Sequence, residues 1–482
     1  MGFRKIKEMT SSMLNKGGAS NLNYPTDISF YKGSLDRSAD WMVKLLILAS
    51  IAIVIAATIT NLREAEEVRV NLWQTTGGRL LLWLGRIFLG INCLALIWRI
   101  VLFYKYRPAP VCSDELLPRC TVIVPAYNEG PQVFLGLKSL IESDFPQEKL
   151  QIIAVDDGSV DDTWYWIGEA EKQFQGRLTT LRFLLNQGKR HALYAGFRRS
   201  SGEILITVDS DSIVTPQTLR SLVSPFIYDK KIGAVAGNVR VLNRSKGIIP
   251  RMLEVVFLFS FDFIRASQSM VNTVMCTPGA LSAYRRETVM KILPEWVNQT
   301  FCGRPANIGE DRALTNLILR EGCHVHFQQD AFVYTEVPTQ YQNLCKMFLR
   351  WARSNIRETL VMSSFAFRKF REGPMLGARI NLLLSWLRLT NFQLLLLGAA
   401  LCFFMEPVIS AVQILAGVVI ASSVPAGLYC WRQRSSEGLW AYAYGIFWFV
   451  ALSWITPYAL LTPHKSGWLT RHKTEKTGDF VA

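Results

Sequence analysis

The chain has 482 residues, 50% of them hydrophobic and 19% charged, with a mean hydropathy of +0.18. At about 150 residues per domain this length allows roughly two to four units; the apolar content excludes a long disordered chain, and an ordinary soluble domain would carry about 25% charged residues. The net charge of +15, from 53 Lys and Arg against 38 Asp and Glu, suits an anionic partner.

Residues 1–40 are polar and basic, contain no cleavable signal peptide, and read as a cytoplasmic N-terminal segment. Residues 41–59 form an apolar run long enough to span a ~30 Å hydrocarbon core as a helix. Residues 80–103 are a second candidate, with Arg86 and Arg99 placed to snorkel towards the interfaces. Domain 41–105 is therefore expected to hold two transmembrane helices. Arg4, Lys5, Lys7 and Lys16 precede this pair, and Lys105 and Arg107 follow it. The positive-inside rule then puts the N-terminus and everything after residue 103 in the cytoplasm.

Residues 106–340 alternate strand-like runs with helix-like stretches, the runs being 121–125, 151–155, 180–185, 204–208 and 234–239. This predicts an α/β domain with a Rossmann-like, mainly parallel sheet, in which ligands sit at the carboxyl ends of strands. Residues 341–378 mix aromatics with Lys346, Arg350, Arg353, Arg357, Arg368, Lys369 and Arg371. They read as amphipathic helices at a membrane surface or as a solvated helical face. Residues 379–462 hold three more spanning candidates (382–404, 408–428 and 439–461), and 463–482 are a basic tail. Nine scattered cysteines without C-x-x-C or metal-like Cys/His spacing fit a reducing compartment. The lipid bilayer accounts for the positive charge, so no nucleic-acid partner is expected.

Chemistry is expected where strands end. The second strand runs into Asp156-Asp157-Gly158-Ser159, with Asp161 and Asp162 beyond. A carboxylate there can accept from a base N–H or a ribose hydroxyl, and the Gly lets backbone approach the ligand. A turn with a helix N-cap is the plainer reading, and the better one for Asp161 or Asp162. After the third strand, Gly188-Lys189-Arg190 opens a helix with two cations, a plausible diphosphate contact. The fourth strand ends in Asp209-Ser210-Asp211. Two acids so close crowd negative charge where a divalent cation with a nucleotide diphosphate would relieve it; turn acids are the alternative. Glu310-Asp311 begins another helical pattern, where a carboxylate can take a proton from a hydroxyl or simply satisfy the helix dipole. Arg350-Trp351 pairs a phosphate-holding cation with a ring that can stack on a sugar.

Taken in order, Asp156-Asp157-Gly158, Gly188-Lys189-Arg190-His191-Ala192, Asp209-Ser210-Asp211, Gly309-Glu310-Asp311 and Arg350-Trp351 resemble a processive family 2 glycosyltransferase of the GT-A fold. The likeness is to hyaluronan synthases, rhizobial chitin-oligosaccharide synthases and chitin synthases. It continues in residues 263–269, 279–286 and 351–358, covering about 120–360. The resemblance implies a GT-A domain inserted between transmembrane helices, in the inner or plasma membrane as a multi-pass protein with a cytoplasmic catalytic domain. Asp156 and Asp157 would hold the uridine of a UDP-sugar donor, and Lys189 the nucleotide. Asp209 and Asp211 would serve nucleotide and Mg2+ or Mn2+, with Asp211 as the metal residue. Asp311 would be the general base. Arg350 and Trp351 would line the site of the growing polysaccharide acceptor and of the diphosphate, and residues 276–281 would approach the polymer end. The Gln usual three residues before Arg-Trp is Met347 here, which bears on acceptor hydrogen bonding.

Trp468 and Arg471 resemble the Trp-x-Thr-Arg gating segment of hyaluronan synthases, which covers the nucleotide from the cytoplasm. Five crossings would put this tail outside, whereas Lys465, Arg471, Lys473 and Lys476 argue for inside. The expected function is polymerisation of a β-linked polysaccharide from UDP-sugars, chiefly UDP-GlcNAc with UDP-GlcA as a second candidate, and its passage across the bilayer. Two alternatives stand beside it: transfer of one sugar to a lipid phosphate, and a non-enzymatic membrane protein on an inactive transferase domain. The sequence leaves the oligomeric state open.

Overall fold

The computed structural model describes residues 37–465; Trp468 and Arg471 lie outside them. Eight strands build one sheet: β1 (Cys120–Ala126), β2 (Leu150–Asp156), β3 (Thr179–Arg182), β4 (Ile204–Val208), β5 (Ser212–Val214), β6 (Ile232–Val241), β7 (Leu281–Arg285) and β10 (His324–Thr335). A separate small hairpin is formed by β8 (Thr300–Phe301) and β9 (Arg304–Pro305). The sheet order is β3-β2-β1-β4-β7-β6-β10-β5. Parallel pairs join β1 to β2 and β4, β2 to β3, and β6 to β10. β7 runs antiparallel to β4 and β6, and β5 antiparallel to β10. The sheet is thus mostly parallel, as the alternating pattern predicted. Every residue of β1, β4 and β6 is buried. Strands covered on both faces read as unbroken apolar runs, which is why these were visible in the sequence.

Gly158 has φ +72, and a Cβ there would meet the Leu185 carbonyl carbon at 2.6 Å. The turn after β2 can therefore close on the loop after β3 only with glycine. The next helix, Thr163–Gln173, takes a cap from Asp161, whose Oδ1 accepts from the Thr163 N–H at 3.0 Å. For Asp161 the capping reading holds.

Among the described residues, three helices are long and apolar enough to cross a membrane: Asp40–Thr60, Thr76–Lys105 and Pro407–Gln433. Ser436–Leu452 with Ile455–Leu461 would make a fourth, bent by 43°. Their outer faces leave Leu45, Leu46, Ile53, Leu80, Leu94 and Ile420 more than half exposed. An apolar surface of that extent suggests a membrane protein. The remaining expected span, 382–404, falls in the helix Leu376–Met405, which is not among the helices that meet this test. Lys44, inside the first apolar run, is neutralised by Asp40 and Glu437, each at 2.8 Å, and Arg251 pairs with Asp40 at 2.5 Å.

Residues 341–365 form one helix, Tyr341–Phe365. Two of its cations turn inward instead of towards a membrane surface. Arg353 donates to Thr462 Oγ1 at 3.1 Å, and Arg357 is buried beside Glu358 at 3.1 Å. The helix Thr76–Lys105 joins the sheet through Tyr106, whose hydroxyl donates to the Phe327 carbonyl at 2.8 Å and accepts from the Gln329 N–H at 3.2 Å. That contact falls where the register of β10 against β6 shifts, between Phe327 and Phe332.

Candidate active site

The carboxyl ends of β1, β2 and β4 open onto a cavity of about 1380 Å³. Its walls bring together Asp157, Lys189, Asp209, Asp211, Asp311, Arg350 and Trp351, seven of the residues singled out in the sequence. Asp156 is not among them. It is fully buried behind the wall, where Oδ1 accepts from the Ser159 N–H at 3.1 Å and Oδ2 lies 3.3 Å from Arg182 Nε. Asp157 uses both carboxylate oxygens on the loop after β3, accepting from the Gln187 and Gly188 N–H groups at 2.8 Å each. Burial pushes its carboxyl up, and these two donors only partly offset that. Asp157 therefore shapes the 186–188 wall of the cavity.

Lys189 opens the helix Lys189–Arg199 directly after Gly188, which has φ +94. Its Nζ donates to Asp209 Oδ1 and lies 3.3 Å from Glu310 Oε1. Burial alone would push the ammonium down, but Asp209 and Glu310 outweigh it and hold Lys189 above its usual range. Gly279 lies against this group, where a Cβ would stand 2.7 Å from Lys189 Nζ. Asp211 Oδ1 accepts from Ser212 Oγ and Thr335 Oγ1, both at 3.3 Å.

Glu310 and Asp311 begin the helix Glu310–Arg320, after Gly309 at φ +69. A Cβ at 309 would lie 1.7 Å from Ser354 Oγ, so glycine allows this turn to seat the two acids against the helix Tyr341–Phe365. Asp311 Oδ1 accepts from the Arg312 N–H at 2.7 Å, and Oδ2 from the Gly279 N–H at 3.2 Å. Cys276 Sγ donates to the same Oδ2 at 3.7 Å, its thiol pushed up to about 12, chiefly by burial. Burial, then the charge of Glu310, holds the Asp311 carboxyl above its ordinary value. Glu310 goes the other way: burial pushes it up, but Lys189, its backbone hydrogen bond, Arg350 and Arg190 together outweigh that. The two neighbouring carboxyls are thus driven apart, Asp311 upward and Glu310 downward.

Trp351 is 39% exposed in the cavity and packs its ring beside Phe348 and Phe257, at centroid distances of 5.6 and 6.3 Å. Met347, in place of the expected Gln, also lines the wall. Beyond these residues the cavity continues between helices, past Arg265 and Arg312 to Arg99, Arg388, Gly85 and Ile420. Arg388 lines this passage together with Arg312, Arg99 and Arg265. Arg99 donates to Ser267 Oγ at 3.3 Å, Arg265 to Ser260 Oγ at 2.9 Å, and Arg312 to Thr359 Oγ1 at 3.0 Å, while Arg312 Nε is buried without a partner. Two features of the site had no individual role in the sequence reading. Glu310 was visible only as the neighbour of Asp311, and the four arginines come from distant segments that no local pattern connects.

The model of the family described as "Glycosyltransferase like family 2" matches residues 118–354. An N-acetylglucosaminyltransferase of Mesorhizobium japonicum is 32% identical over 380 residues, 77% of this chain and 86% of the relative. The chain belongs to glycosyltransferase family 2. A hyaluronan synthase of Streptococcus pyogenes is 29% identical to this glycosyltransferase over 386 residues, 78% of the chain and 88% of the relative. A mannosyltransferase from Pyrobaculum calidifontis, solved with GDP-mannose and Mn2+, superposes with a TM-score of 0.53 at 22% identity, over 76% of this chain and 99% of that one. The shared fold is GT-A, and among the described residues the transferase also has three helices long and apolar enough for a membrane.

Proposed function

We propose that this glycosyltransferase extends a β-linked polysaccharide from UDP-sugars and passes it across the membrane from a cytoplasmic catalytic domain. The observation that carries the reading is the single cavity running from Asp209 and Asp311 to Arg388 and Ile420 on the membrane-side helices. A transferase adding one sugar to a small acceptor has no use for such a passage.

In this reading Asp157 and the 186–188 loop hold the nucleoside, and Asp156 supports the Asp157 turn from behind. Lys189 meets the diphosphate and offsets the charge that builds on it as the sugar departs. Asp311 accepts the proton of the acceptor hydroxyl, which attacks the anomeric carbon in one inverting displacement. Arg350 stands at the diphosphate and Trp351 under the acceptor ring. Trp468 and Arg471 are proposed to cover the nucleotide from the cytoplasmic side. Asp209 and Asp211 offer only oxygen donors to the cavity, the kind that Mg2+ or Mn2+ takes, so the residues present fit such an ion. When bound it would neutralise part of the leaving diphosphate's charge.

The relative named as an N-acetylglucosaminyltransferase supports UDP-GlcNAc as a donor. UDP-GlcA as a second donor is supported by Arg99, Arg265, Arg312 and Arg388, which face the inner cavity with no carboxylate in ion-pair contact among the described residues. Gathering cations in a low-dielectric passage is costly, and a carboxylate-bearing chain would relieve it. The test is incubation of the purified protein with UDP-GlcNAc, UDP-GlcA and both. UDP release is followed, and the product is digested with linkage-specific glycosidases. High-mass polymer formed only from the pair supports the whole reading; a single sugar on a lipid phosphate overturns it.

A further inference from the structure

A second cluster of ligand-type side chains lies at the opposite edge of the sheet from the catalytic acids. β6 and β10 are parallel to each other, and β4 and β6 both run against β7. The start of β10 is therefore at the amino edge, while Asp209 lies just beyond the carboxyl end of β4. β10 begins with His324-Val325-His326. Residues two apart on a strand share a face, and the two imidazoles stand nearly parallel, 11° apart with centroids at 6.2 Å. Asp229, in the turn before β6, brings Oδ2 to 2.8 Å from His324 Nδ1. Asn272 brings Oδ1 to 2.9 Å from His326 Nε2. One donor atom from each of Asp229, His324 and His326 lies within 4.8 Å of the other two.

We propose that Asp229, His324 and His326 bind a divalent transition-metal ion of the zinc class, separate from any ion of the catalytic site. Two imidazole nitrogens with one carboxylate are a donor set for zinc and its neighbours. The all-oxygen pair Asp209 and Asp211 suits a harder cation. Backbone contacts already hold the donors in place. Asp229 Oδ1 accepts from the Lys231 N–H, and the His324 N–H donates to the Lys231 carbonyl, each at 2.8 Å. The Asn272 carbonyl accepts from the Val325 N–H at 3.2 Å, and Thr273 bridges to Val325. Three separate segments thus converge: the turn before β6, the start of β10, and the stretch from Asn272 that leads to Cys276 and Gly279 beside Asp311. An ion here would tie the turn before β6 to the start of β10, beside Asn272, whose Oδ1 lies 2.9 Å from His326 Nε2.

The test uses the full-length protein in detergent or nanodiscs, stripped with chelator and titrated with Co2+ and then Zn2+. The proposal expects one equivalent of Co2+ with a visible ligand-field band, displaced by Zn2+, and a melting temperature raised by Zn2+ but not by Mg2+. Asp211→Asn must keep that equivalent. Asp229→Asn, which still hydrogen-bonds His324, and His326→Gln must each weaken it by roughly tenfold or more. Should His326→Gln fail to fold, Asp229→Asn alone decides. Zinc binding unchanged in Asp229→Asn, or no band in the unmodified protein at millimolar Co2+, overturns the proposal; both would mean that these groups only satisfy one another by hydrogen bonds.

Discussion

Lys189 Nζ lies 3.3 Å from Glu310 Oε1, so one ion pair ties the helix after β3 to the helix that carries Asp311. The contact sets charges on both sides of the cavity. With Asp209 it holds the Lys189 ammonium above its usual range, and it fixes a negative charge beside Asp311.

Replacing Glu310 by Gln should therefore move the acid limb of the rate profile. The Asp311 carboxyl is held up by burial and by Glu310; removing that charge lets its pKa fall. As a base it works when deprotonated, so activity should persist to lower pH in Glu310→Gln. The measurement is kcat/KM for UDP release against pH. An acid limb that stays in place, or moves to higher pH, contradicts the assignment of Asp311.

Asp311→Asn should cut polymer synthesis by roughly 10²–10⁴-fold while UDP-sugar binding survives, since the base acts on the acceptor. Turnover and donor affinity, measured on the same preparation, separate the two effects. Near-normal turnover would place the base elsewhere.

Gly279→Ala should act on the donor side. The new Cβ would stand 2.7 Å from Lys189 Nζ, forcing the ammonium off Asp209 and Glu310. We expect the donor KM to rise about tenfold, equivalent to ~1.4 kcal/mol, with little change in melting temperature. Steady-state kinetics with varied UDP-sugar test this.

Gly309→Ala is expected to destabilise the fold by about 2–4 kcal/mol, from left-handed strain together with overpacking against Ser354. Combining it with Ser354→Gly should recover the packing part only. Thermal unfolding of the single and double variants gives the comparison.

Arg388→Gln should reduce incorporation of an acidic sugar more than that of a neutral one. Arg388 lies on the cavity wall with Arg99, Arg265 and Arg312, and no carboxylate is in ion-pair contact with it among the described residues. The product ratio from mixed UDP-GlcNAc and UDP-GlcA measures the effect, and an unchanged ratio would remove Arg388 from acceptor recognition.

Much of the sheet was legible because β1, β2, β4 and β6 are nearly continuous apolar runs, and the acids follow directly on two of them. β7 was not read as a strand. Its residues, Leu281–Arg285, lie inside a motif, and their antiparallel direction leaves no helix crossover to announce them. β10 was hidden by its polar face and by the irregular register between Phe327 and Phe332. The same strand explains why His324 and His326 carried no signal: alternate positions become a chelating pair only once the segment is known to be extended. Asp156 and Asp157 are adjacent in sequence, yet successive residues at a strand end face opposite ways. One went to the cavity and the other behind it.

The hydroxyl of Tyr106 is held at both ends by β10, at the Phe327 carbonyl and the Gln329 N–H, directly after the helix Thr76–Lys105. One strand therefore joins this helix to the cavity: its far end, Thr335, donates from Oγ1 to Asp211 Oδ1 at 3.3 Å.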